Sequence, residues 1–198
     1  MGDERITAKQ LSADFTWDET QRGRQAAVLV LISSDSEPKI LFTQRARGIS
    51  QAGQISFPGG SREGQEDPEQ TALREACEEV GVSADRVKVL GRIPGPAITR
   101  LRFQVVAVVA EWDGDASSLR PDAREVARLL SFPVRDLVDP ANRITWEIEN
   151  GHRGPGFLLG DVMIWGMTAA ITDAALRLAG WEQPWDETRI VHVPPEFR

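Results

Sequence analysis

Residues 60–82, GSREGQEDPEQTALREACEEVGV, carry the reading of this chain. Asp67-Pro68-Glu69-Gln70 predicts a helix start. Asp67 can cap, Pro68 suits the first helical position, and Gln70 can reach back to close a capping box. The helix should run to Val80 and stop at Gly81, which offers a left-handed C-cap. With Ala72 at zero on a helical wheel and ~100° per residue, Ala72, Leu73, Ala76, Cys77 and Val80 fill an arc from ~0° to ~140°. Glu75, Glu78 and Glu79 fall between ~240° and ~340°, opposite that apolar arc, with Arg74 at their edge near ~200°.

The three glutamates are spaced i, i+3, i+4 and converge over about one turn. Like charges at that spacing oppose a helix by roughly 0.2–0.5 kcal/mol per pair. A hard divalent cation would remove the penalty, and oxygen ligands suit magnesium or manganese. Glu66 can join from the preceding loop, and Arg74 can screen the acids and hold their rotamers. Taken alone, three glutamates read first as a solvated acidic face and only second as a metal site. Cys77 lies on the apolar arc and reads as a buried, inert thiol.

Working outward, Ala26–Ile32 reads as a buried strand and Lys39–Arg45 as the returning strand of a hairpin. Gln54–Phe57 is a short strand that Pro58-Gly59-Gly60 should stop. Val87–Ile93 and Phe103–Trp112 predict two more strands, and Arg143–Glu149 alternates like an edge strand. Pro121–Leu130 has helical spacing, and Asp161–Ala179 reads as a long amphipathic helix closed by Gly180. Residues 1–22 form an arm or short helix with anchors at Leu11, Phe15 and Trp17; residues 23–198 form the main domain. Trp181 and Trp185 suggest a tail that packs down. Strands mixed with two or three helices predict an α/β sandwich in one domain.

The composition excludes several classes. The 198 residues carry 30 acidic and 23 basic groups, a net charge of -7, so a nucleic-acid backbone is not the expected partner. Lysines stand only at 39, 88 and 9, leaving 20 of the 23 basic residues as arginine, whose forked guanidinium suits phosphate. No apolar run approaches the ~20 residues needed to span a bilayer. The single cysteine rules out an internal disulfide and a cysteine-rich zinc site, and with no apolar leader it suggests a reducing cytoplasm.

The wider spacing adds a resemblance. Gly60, Glu66, Arg74-Glu75, Glu78-Glu79 and Gly81 match the Nudix box at every named position, a coincidence of roughly 10⁻⁸ per window at ~7% per position. The chain resembles the Nudix hydrolases, which cleave diphosphates linked to another moiety. That resemblance implies an α/β/α sandwich around a mixed sheet. It also implies magnesium or manganese bound by Glu75, Glu78 and Glu79 with the Gly60 carbonyl, and Arg74 orienting the acids. Leu41–Ala46 followed by Gly53–Gly60, and the late stretch Ile164–Ala169, are similar to the coenzyme A diphosphatases of that family.

The expected activity is therefore hydrolysis of coenzyme A or its derivatives to 4'-phosphopantetheine (or its acyl form) and adenosine 3',5'-bisphosphate. The loop 46–52 is one residue shorter than the subfamily pattern and offers Arg47 from a shifted position. That difference keeps ADP-ribose or a dinucleotide as an alternative substrate; a non-catalytic nucleotide sensor is a third reading. Arg45, at a strand end, is the expected phosphate contact, with Phe57, Gly59 and Gly60 beside it; as a lone arginine it fits a surface ion pair equally well. The general base is either a box glutamate or Glu125, the best acid outside the box. Homodimerisation is implied by the resemblance alone. His152 and His192 lack metal-ligand spacing.

Overall fold

Helix α1 (Pro68–Val80) starts and stops where its capping residues dictate. In the computed structural model, which describes residues 11, 16–18, 23–48, 50–94 and 103–195, Asp67 Oδ1 accepts the Gln70 N–H at 2.9 Å. Gln70 Oε1 accepts the Asp67 N–H, also at 2.9 Å, and Gly81 closes the helix at φ 71° by donating to the Cys77 carbonyl. Both caps are local, which is why sequence alone placed them.

Strands β1 (Arg24–Ser33), β2 (Lys39–Arg45), β3 (Ile55–Ser56), β4 (Gly59–Ser61), β5 (Val87–Pro94), β6 (Phe103–Trp112) and β7 (Val126–Pro133) make one mixed sheet. Strands β1 and β6 run parallel, in register from Arg24↔Phe103 to Ser33↔Trp112, with β5 antiparallel outside β6. Strand β2 touches β1 at Ile32↔Ile40 and then diverges to pair with β7 along its length. The gap holds β3 against the end of β2 and β4 against the start of β1. Such close approach requires glycine: a Cβ on Gly59, at φ 153°, would lie 2.4 Å from the Ala27 carbonyl oxygen.

Alternate residues of β1 face two separate cores. Ala27, Leu29 and Leu31 pack with Ala72, Ala76 and Val80 of α1, while Val30 and Ile32 pack toward α2 (Val134–Val138) and α3 (Gly166–Leu178). The predicted α/β/α layering is thus present. A second, four-stranded sheet was not anticipated. It has the order β10 (Val162–Ile164), β9 (Arg153–Leu159), β8 (Arg143–Glu147), β11 (Ile190–His192), and α3 packs against β9.

One expectation needs extension and three need correction. Strand β3 does end at Ser56, before Pro58-Gly59-Gly60, but the two glycines also open β4, which was not expected. Pro121–Leu130 is a turn leading into β7, because pairing with the whole of β2 outweighs a weak helical period. The helix expected from Asp161 begins at Gly166, since Val162–Ile164 pairs with Phe157–Leu159. Strand β8 is not an edge, because β9 and β11 flank it.

Leu11 and Trp17 are buried, one in each core, so these anchors of the N-terminal segment meet the body; Phe15 lies outside the described residues. At the other end, Trp181 packs against the core and Trp185 lies against Arg143. Among the described residues no helix is long and apolar enough to cross a membrane.

Candidate active site

Arg74 organises the acids. Its Nε donates to Glu66 Oε1 at 2.8 Å, and Nη1 donates to Glu75 at 3.0 Å and Glu78 at 3.2 Å. Nη2 donates to the Ser61 carbonyl at 2.9 Å, tying the helix to β4. Glu66 also accepts from the Thr71 hydroxyl at 2.9 Å. The Arg74 guanidinium, opposed by partial burial, holds the Glu66 carboxyl down at about 2, and Glu66 in turn holds Arg74 protonated. Glu66 thus serves the arginine, and the arginine positions the other acids. Ser61 and Thr71 had no recognisable signal in the sequence.

The three helix glutamates do not share one environment. Glu78 is exposed, Glu75 half-buried, and Glu79 only 7% exposed. The wheel placed Glu79 away from the helix's apolar arc but could not show that β4 covers it. The Gly59 N–H donates to Glu79 Oε2 at 3.0 Å. Burial nevertheless pushes the Glu79 carboxyl up to about 7; Gly59 and Arg45 work against that rise, and the charges of Glu75 and Glu125 add to it. Burial likewise raises Glu75, with Arg74 opposing and Glu78 and Glu125 reinforcing.

Glu125 reaches this cluster from 46 positions beyond Glu79 because the end of α1 holds its turn. The Val80 carbonyl accepts the Arg120 N–H at 3.0 Å, and the Glu79 carbonyl accepts the Asp122 N–H at 2.8 Å. The Glu125 carbonyl then accepts the Ala46 N–H at 2.8 Å, bringing the Arg45 loop alongside. Arg45 donates through Nε to the Ser50 carbonyl at 3.0 Å and lies within the field of Glu79. Arg47 is exposed on the same loop.

Phe57, expected beside the substrate, is placed elsewhere. Its ring is 3% exposed and stacks on Phe42 at 4.9 Å in the core on the α3 side. It can orient the strand that carries Gly59 and Gly60, but its side chain does not line the acidic cluster. His152 and His192 are exposed and remote from the box, and Cys77 is half-buried with its thiol pushed up by burial.

Gly60 meets Glu75 directly: a Cβ there would lie 2.4 Å from the carboxylate. The obstructed group is the mobile end of a side chain, so the fold can absorb the change while the carboxylate cannot keep its place. Gly60→Ala should therefore leave the melting temperature almost unchanged and lower turnover by about 10²-fold, the effect of displacing a reacting-site group by ~1 Å. Thermal melts and initial rates on one preparation check this; an equal loss of both would contradict it.

As a donor set, Glu75, Glu78, Glu79 and the Gly60 carbonyl are all oxygen, and two of the carboxylates are raised by burial and like charge. Both features fit a hard divalent cation. Among the described residues, no three acidic, histidine or cysteine side chains converge as a closed ligand set. Arg74 holds Glu75 through Oε1 and Glu78 through Oε2, and Gly59 holds Glu79 through Oε2, so each carboxylate has a second oxygen outside these bonds.

Comparison with known proteins bears on this geometry. The NUDIX domain family model matches residues 23–150. Over 182 residues the chain is 35% identical to the mitochondrial coenzyme A diphosphatase NUDT8 of Homo sapiens, covering 87% of this chain and 77% of that protein. It is 34% identical over 171 residues to NudL of Pectobacterium atrosepticum, an uncharacterized Nudix hydrolase, covering 84% and 88% of the two chains. Among solved structures, the Nudix hydrolase RenU of M. Smegmatis aligns with a TM-score of 0.51 at 26% identity, over 64% of this chain and 83% of that one. A NUDIX hydrolase from Nitrosomonas europaea shares the fold at TM-score 0.56 and 15% identity, over 88% and 82%.

Proposed function

The chain belongs to the Nudix hydrolase family, and on that premise we propose that it hydrolyses the diphosphate bridge of coenzyme A or its acyl derivatives. The products are 4'-phosphopantetheine (or its acyl form) and adenosine 3',5'-bisphosphate. One observation carries this reading: the likeness to a coenzyme A diphosphatase extends over 87% of the chain, far beyond the 23-residue box.

In this reading water attacks one phosphorus of the P–O–P bridge. A new P–O bond forms, the bridging P–O bond breaks, and the bridging oxygen leaves with the other phosphate. Glu75, Glu78 and Glu79, with the Gly60 carbonyl, would hold magnesium or manganese, whose charge offsets that of the diphosphate. Arg45, beside Glu79 at the end of β2, contacts a phosphate through its guanidinium fork. Arg74 is a positioning residue that keeps the glutamates in reach of the substrate. Glu125, exposed and within the field of Glu75 and Glu79, accepts the proton of the attacking water.

The test is product analysis with coenzyme A, ADP-ribose, NADH and nucleoside triphosphates, with magnesium or manganese and with chelator. Coenzyme A should be preferred in kcat/KM by about tenfold or more, the scale set by one or two additional substrate contacts. A preference under a few-fold would move the substrate to ADP-ribose or a dinucleotide. Ligand binding with no turnover would identify a sensor.

A further inference from the structure

All three residues of β4 touch the acidic cluster. The Gly59 N–H donates to Glu79, Gly60 lies against Glu75, and the Ser61 carbonyl accepts from Arg74. Yet the strand has only three residues, two of them glycine, and among the described strands it pairs with β1 alone. Glycine brings no side chain to pack and keeps more backbone freedom than any other residue. The place of β4 must therefore be set from its two ends. On entry, Phe57 is buried and the Pro58 carbonyl accepts the Leu29 N–H at 2.8 Å. On exit, the Arg62 N–H donates to the Gln25 carbonyl at 2.9 Å, and the Arg62 guanidinium donates to the Gln25 side chain.

The exit end is covered by the N-terminal segment. Trp17 is buried in the core between β1 and α1, and its Nε1–H donates to the Ala26 carbonyl at 3.0 Å. Ala26 is the residue opposite Ser61 in the β1–β4 pairing. The Arg62 Cζ lies 5.0 Å from the Trp17 ring centroid, in range for a cation on an aromatic face. The next residue fixes the segment itself: the Asp18 N–H donates to Gln104 Oε1 at 2.9 Å, and Gln104 Nε2 donates back to the Asp18 carbonyl at 3.0 Å. Gln104 is buried and stands opposite Gln25 across the parallel β1–β6 pairing. One glutamine of that pair holds Arg62, and the other holds the residue after Trp17.

We propose that Trp17 is a positioning residue of the active site: its ring fixes Arg62 and so keeps the Ser61 carbonyl on Arg74, which in turn holds Glu66, Glu75 and Glu78. Trp17 precedes residue 23, where the match to the NUDIX domain family begins, so the catalytic unit of this chain includes a segment outside that match. The contrary view, that Trp17 only fills the core, predicts that its loss weakens the whole fold evenly. Local loosening confined to β4 is what distinguishes the two. The kinetic part of the test rests on the diphosphate hydrolysis proposed above; the part read from β4 itself does not.

Trp17→Leu keeps apolar bulk but removes the ring face and the indole N–H; Trp17→Phe restores the face. Amide hydrogen exchange in the full chain, read by mass spectrometry in chelator, should be about tenfold faster at residues 59–62 in Trp17→Leu. It should be unchanged in β6, and near native at both places in Trp17→Phe. On whichever diphosphate the native enzyme hydrolyses, Trp17→Leu should lower kcat by about tenfold with KM within about twofold, and Trp17→Phe should recover most of the loss. In an Arg74→Lys background Trp17→Leu should cost less than about threefold, because the contact it supports is already gone. Unchanged exchange at residues 59–62, equal acceleration in β4 and β6, or kcat losses that multiply in full in the double variant would each overturn the proposal. Should Trp17→Leu not fold, Arg62→Leu leaves the core intact and answers by the same readouts with the same expected changes. If the native chain turns over no diphosphate, the hydrolysis reading falls, and exchange at β4 alone decides whether Trp17 holds it.

Discussion

Replacing Glu79 by Gln should lower turnover by about 10³-fold and, in chelator, make the protein more stable at pH 8 than the native chain. The first effect follows from losing an anionic oxygen of the cation site, since charge stabilisation of that kind contributes several kcal/mol to the barrier. The second follows from burial. Glu79 titrates at about 7 in the folded protein against an ordinary value of 4.5, so the folded state binds its proton more tightly than the unfolded chain does. Above pH 7 the side chain is ionised in both states, and the folded protein bears the full penalty of a buried charge. As the pH falls from about 7 to 4.5 the folded form protonates first and stability rises; below 4.5 the penalty is gone. A shift from 4.5 to about 7 corresponds to an upper limit of about 3 kcal/mol. Glutamine keeps a carbonyl oxygen for the Gly59 N–H and carries no charge. Its advantage in urea unfolding should be about 1–3 kcal/mol at pH 8 and small at pH 5. Equal stability of the two proteins at pH 8 would show that Glu79 is not held in a charge-averse position.

That prediction could not have been made from the box alone. The sequence places Glu75, Glu78 and Glu79 around one turn, and the caps at Asp67 and Gly81 fix the helix that carries them, because those contacts span only a few residues. What makes Glu79 different is β4, where Gly59 and Gly60 looked like a strand terminator. Two glycines next to a proline are a local turn signal, yet here they serve a non-local need: backbone lying against β1 on one side and against carboxylates on the other. The same limit hid the neighbours of Glu125. Its approach depends on Asp122 and Arg120 bonding to the final carbonyls of α1, and nothing near Glu125 in sequence records that bond. Strand β7 was misread for a related reason. Val126, Leu129 and Leu130 satisfy a helical period, but seven residues of pairing with β2 decide the outcome. The second sheet was only half legible, since β9 contains a proline and two glycines and β10 has three residues.

The largest stability effect should come from a pair that no motif marks. Arg143, at the start of β8, is 1% exposed and bonds to Asp173 of α3, which is 4% exposed and also bonds to the exposed Arg177. The guanidinium lies 4.4 Å from the Phe157 ring centroid and 4.6 Å from that of Trp185, so the C-terminal segment closes over it. Its Nε has no hydrogen-bond partner, so Asp173 and the two aromatic faces are what compensate the buried cation. Asp173→Ala removes the counter-charge and leaves Arg143 buried. The expected loss is about 3–5 kcal/mol, or about 10 °C in melting temperature for a chain of this size. Arg177 loses the same partner, but with its side chain 57% exposed it returns to water at little cost. The double replacement Arg143→Met with Asp173→Leu removes both charges and keeps apolar contact with Phe157 and Trp185. It should recover most of the loss, since an apolar pair of similar volume is commonly as stable as a buried ion pair. A double variant no more stable than Asp173→Ala would mean that the charges themselves, and not merely their balance, hold α3 and the tail to the second sheet.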